Sequence, residues 1–180
     1  MKGMGFNLVK SELAGGRIKC FKDLVKVVTK TALAKKIGKN NEGITRLIEY
    51  PEEFEIGELI SLSIYCKIGL PAMLKIIGAG YDYKQESPES RNEKYLRVKP
   101  LLKMHGLETI EDIVKYVTIS VVAGDLKMKR QRLGKMLKQV KHFELKDLIS
   151  IGAFCNLTLK ETFSIIIKSL NKQKKELSPE

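Results

Sequence analysis

Slid against itself by 89 positions, the chain aligns without a gap from Phe21 opposite Ile110 to Ile77 opposite Ile166. Self-similarity at one fixed offset is the mark of a repeated structural unit, and it constrains the fold more than any local motif. Identical pairs include Asp23/Asp112, Val25/Val114, Lys26/Lys115, Val28/Val117, Thr29/Thr118 and Ala34/Ala123. Phe54-Glu55 meets Phe143-Glu144, Leu59-Ile60-Ser61 meets Leu148-Ile149-Ser150, Cys66 meets Cys155, and Ile76-Ile77 meets Ile165-Ile166. Where identities lapse, one apolar residue replaces another, as at Leu24/Ile113, Leu33/Val122, Ile37/Leu126, Ile44/Leu133 and Leu47/Met136. A duplicated domain is therefore expected.

Each copy reads as five short helices, because its apolar residues recur at helical spacing and no period-two strand pattern appears. In the first copy the helices are marked by Leu24/Val27/Val28, by Leu33/Ala34/Ile37 up to Gly38, and by Ile44/Leu47/Ile48 up to Pro51. A fourth runs through Ile56, Leu59, Ile60 and Ile64 and is expected to end at Gly69; Pro71 suits the first turn of a fifth. In the second copy Thr158-Leu159-Lys160-Glu161 is a capping-box pattern at the start of the fifth helix. The fold class is all-α. The expected organisation is a first domain over 1–80, a linker over 81–104 that holds the polar run Gln85–Ser90 and a candidate short helix from Tyr95 to Leu102 interrupted by Pro100, a second domain over 105–170, and a flexible polar tail over 171–180.

Lys and Arg number 33 against 21 Asp and Glu, for a net charge of +12, which points to a polyanionic partner. Apolar residues make up 43%, enough to bury a core. Three widely spaced cysteines, Cys20, Cys66 and Cys155, suggest neither a disulfide framework nor a zinc cluster, and a reducing cytoplasm is expected. Cys66 and Cys155 fall at one place on the fourth helix and read as buried small apolar residues. No apolar run approaches the roughly 20 residues of a membrane helix, so no membrane association is expected. His105 and His142 lack neighbouring ligands at metal spacing. Gly78-Ala79-Gly80 lacks the remaining glycine and the strand of a phosphate loop. No nucleophile–base spacing stands out, so neither an enzyme nor a cofactor is expected.

Ala32–Glu49 resembles the helix-turn-helix of Cro and the phage-repressor family: Ala34 is small where two helices cross, Gly38 takes the left-handed turn, and Leu33, Ile37, Ile44 and Leu47 face the core. Pro51–Ile77 is similar to the family's closing helices. Val122–Lys138 repeats the pattern with Ala123 and the apolar positions kept, but Lys127 replaces the turn glycine, at a cost on the order of 1 kcal/mol in left-handed backbone. Whether this copy keeps the same turn and enters DNA is thus open.

The resemblance implies that the second helix of each motif lies in the major groove of double-stranded DNA. By position it assigns DNA contacts to Asn40, Asn41, Glu42, Thr45 and Arg46 in the first copy. In the second it assigns Lys127, Lys129, Arg130, Gln131, Arg132, Lys135 and Lys138. Asn and Arg suit bidentate base contacts, whereas the second set suits phosphate. The expected function is a transcriptional regulator acting as a monomeric pseudo-dimer or a homodimer. Two alternatives stay open: an all-α interaction or structural protein without DNA binding, favoured by Glu42, Gly43 and Glu49 in the first recognition helix, and the antitoxin of a toxin–antitoxin pair.

Overall fold

The computed structural model describes residues 4–79 and 92–176. The polar linker run Gln85–Ser90 and residues 177–180 of the expected tail lie outside the described residues. The chain divides into two compact units, Met1–Asp82 and Tyr83–Glu180. The described residues are helical with no β-strand, so the fold is all-α.

The first unit contains α1 (Met4–Ala14), α2 (Phe21–Val27), α3 (Lys30–Ile37), α4 (Asn41–Glu49), α5 (Ile56–Tyr65) and α6 (Leu70–Gly78). The second contains α7 (Glu93–Lys103), α8 (Ile110–Val117), α9 (Ile119–Asp125), α10 (Arg130–Lys138), α11 (Leu145–Phe154) and α12 (Leu159–Glu176). Pair by pair, the first residues of α1–α6 and α7–α12 stand 89 positions apart. Each unit thus has six α-helices among the described residues rather than five. The extra pair is α1 and α7, and α7 occupies much of the stretch expected as linker. Pro100 sits inside α7 without ending it. It removes the bond to the Leu96 carbonyl, and both residues are exposed, so water can serve that carbonyl.

Three turns share a further correspondence. Left-handed backbone occurs at Gly16 (φ 68°) and His105 (φ 56°), at Gly38 (φ 70°) and Lys127 (φ 52°), and at Lys67 (φ 53°) and Asn156 (φ 55°). Each turn is closed by an amide reaching back five residues: Arg17 to Glu12 and Gly106 to Leu101, Lys39 to Ala34 and Met128 to Ala123, all at 2.9 Å, and Ile68 to Ser63 at 3.0 Å with Leu157 to Gly152 at 2.9 Å. This is the backbone closure of a helix C-terminus. Lys127 therefore adopts the same turn as Gly38 despite its side chain. The residue that closes α5 is Lys67; Gly69 instead precedes α6 in extended backbone, with Pro71 in that helix's first turn.

Matched residues fill the two cores. Leu24/Ile113, Leu33/Val122, Ile44/Leu133, Phe54/Phe143, Leu59/Leu148 and Ile77/Ile166 are all buried. Phe21 meets Phe54 edge-on at 4.9 Å in the first unit, and Tyr95 lies 5.5 Å from Phe154 in the second. Cys66 and Cys155 are buried as expected, although each follows its helix rather than lying within it. Burial pushes the Cys66 thiol up to about 11.

The units diverge most at their last helix. The α12 helix begins with the expected capping box, Thr158 and Glu161 bonding each other's backbone amides at 2.7 and 3.2 Å. It then runs 18 residues, where α6 runs nine. Residues 171–176, expected as flexible tail, are its last turns. They are fixed by polar contacts: Gln173 accepts from the Val140 amide at 3.0 Å and donates to the Leu137 carbonyl at 2.8 Å. About one turn earlier, the Ser169 hydroxyl accepts from the Ile110 amide at 2.9 Å.

Candidate nucleic-acid interface

The helix pairs α3–α4 and α9–α10, with the turns that join them, hold all the residues expected to contact DNA. Each pair has a buried alanine at the matching place in its first helix, Ala34 or Ala123, each 3% exposed. A larger side chain would spread the helices, so the small residue fixes how each second helix is presented. The inner faces of α4 and α10 are anchored by Ile44 and Leu47, and by Leu133 and Met136.

Every residue of the expected set is exposed: Asn40, Asn41, Glu42, Thr45 and Arg46 on one unit, and Lys127, Lys129, Arg130, Gln131, Arg132, Lys135 and Lys138 on the other. Their surroundings differ. Asn40 caps α4, its side-chain oxygen accepting from the Gly43 amide at 2.7 Å. The Thr45 hydroxyl donates to the Asn41 carbonyl and accepts from the Lys30 ammonium, both at 3.0 Å. Arg46 makes a two-point contact with Glu53 in the following 3₁₀ turn, at 2.5 and 2.8 Å. Three of the five first-unit positions are therefore engaged within their own unit. Residues 38–49 hold two cations, Lys39 and Arg46, against Glu42 and Glu49.

Residues 127–138 hold six cations and no acid. Among them Arg132 approaches Glu144 at 3.9 Å. The charge of the whole chain is skewed the same way, with 20 Lys/Arg against 12 Asp/Glu in the second unit and 13 against 9 in the first. Sequence reasoning missed Glu53 and Glu144, the acids that meet Arg46 and Arg132. Each lies across a helix break from its partner, where spacing carries no signal.

Beneath this basic surface lies a buried acid. Asp147, in the first turn of α11, is 8% exposed, and its Oδ2 has no hydrogen-bond partner among the described residues. Its counterpart Glu58 accepts from the Glu55 amide at 3.1 Å and pairs with Lys39 at 2.7 Å. Met128 stands where Lys39 does, so Asp147 lacks that cation. Burial pushes its carboxyl above the ordinary range, with Glu144 adding to the shift and Lys146 and Arg132 opposing it. A carboxyl raised by folding binds its proton more tightly in the native state. Its contribution to stability is thus present in acid and lost as pH rises through the native value. Asp147→Asn is expected to stabilise the second unit by about 1 kcal/mol at about pH 7 and to lose that advantage near pH 3.5. Denaturant unfolding at both pH values measures this, and a loss of stability at neutral pH would refute it.

The described residues offer no group of three or more His, Cys, Asp or Glu placed to hold a metal. No single described helix is long and apolar enough to cross a membrane. No family model, curated protein or solved structure matches this chain.

Proposed function

We propose that the protein binds double-stranded DNA as a regulator of transcription, through two helix-turn-helix units related by internal duplication, with most of the affinity residing in the second. The observation that carries this reading is the segment Lys127–Lys138: six exposed cations and no acid, four of them on α10 and two in the turn before it, with a left-handed turn and a buried alanine at the places where α3–α4 has them. Cations on such a helix neutralise phosphates and release counterions, which gives sequence-independent affinity. The first unit supplies base reading through Asn41 and Arg46. Arg46 must then exchange the Glu53 carboxylate for a guanine edge, which offers the same two-point geometry. Because α4 and α10 differ in nearly every exposed residue, one chain engages an asymmetric site as a pseudo-dimer.

A gel-shift titration of duplex fragments at two salt concentrations tests the reading. If the six cations of 127–138 all meet phosphate, the log–log salt slope is expected near −5, at roughly −0.9 per phosphate. No binding at low salt, or binding indifferent to salt, would overturn it. A second reading, a helical protein-interaction module without DNA binding, is favoured by one observation: Asn40, Thr45 and Arg46 are already engaged inside the first unit.

A further inference from the structure

The second unit contains a cleft of about 590 Å³ between α8, the start of α9, α10 and the end of α12. That is the size of a small-molecule site. Three features of its wall have no counterpart in the first unit. Gly134 lies inside α10, where glycine costs about 1 kcal/mol relative to alanine. An added Cβ there would meet only the Ile119 side chain, at an ordinary 3.6 Å. Packing does not demand the glycine, and its absent side chain keeps the cleft open. The first unit has Thr45 at this position, bridged by Lys30 at 3.0 Å. Thr118, on the same wall, has φ 95°, a strained conformation for a β-branched residue, and its hydroxyl makes no cap bond. Thr29 has φ −57° and accepts from the Ala32 amide at 3.3 Å. Finally, the added turns of α12 close one end of the cleft, with Gln173 and Glu176 on its lining.

Strain of about 1–3 kcal/mol persists where the surroundings enforce it, and it clusters at binding sites. Here strain, a helix glycine without a packing role and an extended helix converge on one cavity.

The lining sets the ligand. Val114, Ile119 and Leu137 form an apolar wall. The two lining acids gather at the α8 side: Glu111 pairs with Lys115 at 2.8 Å, and Glu176 also raises the Lys115 ammonium. Lys138, on the α10 wall, forms no ion pair among the described residues, and it stands in the field of the basic surface around it. We propose that this cleft binds a small amphipathic anion, its apolar body against Val114, Ile119 and Leu137 and its acid group at Lys138. Lys138 also belongs to the surface proposed to meet DNA, so titration without DNA reads the cleft apart from that role.

Anilinonaphthalene sulfonate, an aromatic body with one sulfonate, is the probe, titrated by fluorescence into the full chain without DNA. One saturable site per chain is expected. Gly134→Leu, which fills the cleft with a better helix former, is expected to weaken binding about tenfold or more. Lys138→Glu, at an exposed position that leaves the core intact, is expected to weaken the sulfonate similarly but leave the uncharged analogue N-phenylnaphthylamine unaffected. The proposal is overturned if the native protein shows no saturable binding, if natively helical Gly134→Leu binds as before, or if Lys138→Glu leaves the sulfonate's affinity unchanged.

Discussion

Replacing Lys129, Arg130 and Lys135 together by alanine is expected to lower affinity for duplex DNA on the order of a hundredfold, at about 1 kcal/mol per charge-assisted phosphate contact. The salt slope should become shallower by about 2.7, since each lost phosphate contact removes roughly 0.9. These three side chains are exposed and lie on or beside a helix held by Leu133 and Met136, so the fold should survive. Arg132 is left in place because it approaches Glu144, and Lys127 because it occupies the turn. The matching change in the first unit, Asn41→Ala with Arg46→Ala, removes one cation and should move the slope by at most about 0.9 while altering the selected sequence. Equal losses of slope in the two variants would remove the proposed division of labour between the units.

Gly152→Ala is expected to destabilise the second unit by about 3 kcal/mol, the upper end for an overpacked core. A Cβ on Gly152 would stand 2.1 Å from Thr162 Oγ1, with Thr162 Cγ2 at 3.0 Å and Cβ at 3.1 Å. Thr162 is 1% exposed and its hydroxyl is bonded to the Thr158 carbonyl at 3.1 Å, so it has nowhere to turn. Either α11 and α12 separate or the α12 cap is distorted. In calorimetry the second unit's transition should fall by roughly 15 °C. Adding Thr162→Ala should recover more than half of that. In the first unit the corresponding pair is Ser63 and Met73, both buried, and Ser63→Ala should cost no more than about 1 kcal/mol. A Gly152→Ala protein with an unshifted transition would show that the two helices are not in this contact.

Much of this architecture was legible because apolar residues at helical spacing must all point one way. The start of α12 followed from the capping pattern at Thr158, whereas the caps at Thr29, Asn40 and Thr109 emerged only in the structure. The first helix of each unit was legible too, in Val9-Lys10 against Val98-Lys99 at the same offset, but Pro100 read as a breaker. It broke nothing, and Leu96, whose carbonyl it leaves without that bond, is an exposed residue that water can reach. The end of α12 was hidden for a different reason. Ser169 and Gln173 are held by hydrogen bonds to Ile110, Val140 and Leu137, and polar anchors leave no trace in hydrophobic periodicity. The exposed set on and beside α4 and α10 followed from the family resemblance, carried to the second copy by the repeat, whereas the contacts to Glu53, Glu144 and Lys30 depend on how separate segments meet.

The left-handed turns also separate shape from surface. In all three pairs the backbone path is kept while the residue changes, from Gly16 to His105, Gly38 to Lys127 and Lys67 to Asn156. The amide-to-carbonyl closure sets the path, so the turn residue is available for other purposes. At position 127 that purpose is a positive charge placed three residues ahead of α10, held at a conformational cost on the order of 1 kcal/mol. A glycine there would relax the backbone and remove a cation from the rim of the basic helix. Position 38 offers the reverse exchange, a way to make the first unit more basic without redesigning its helices.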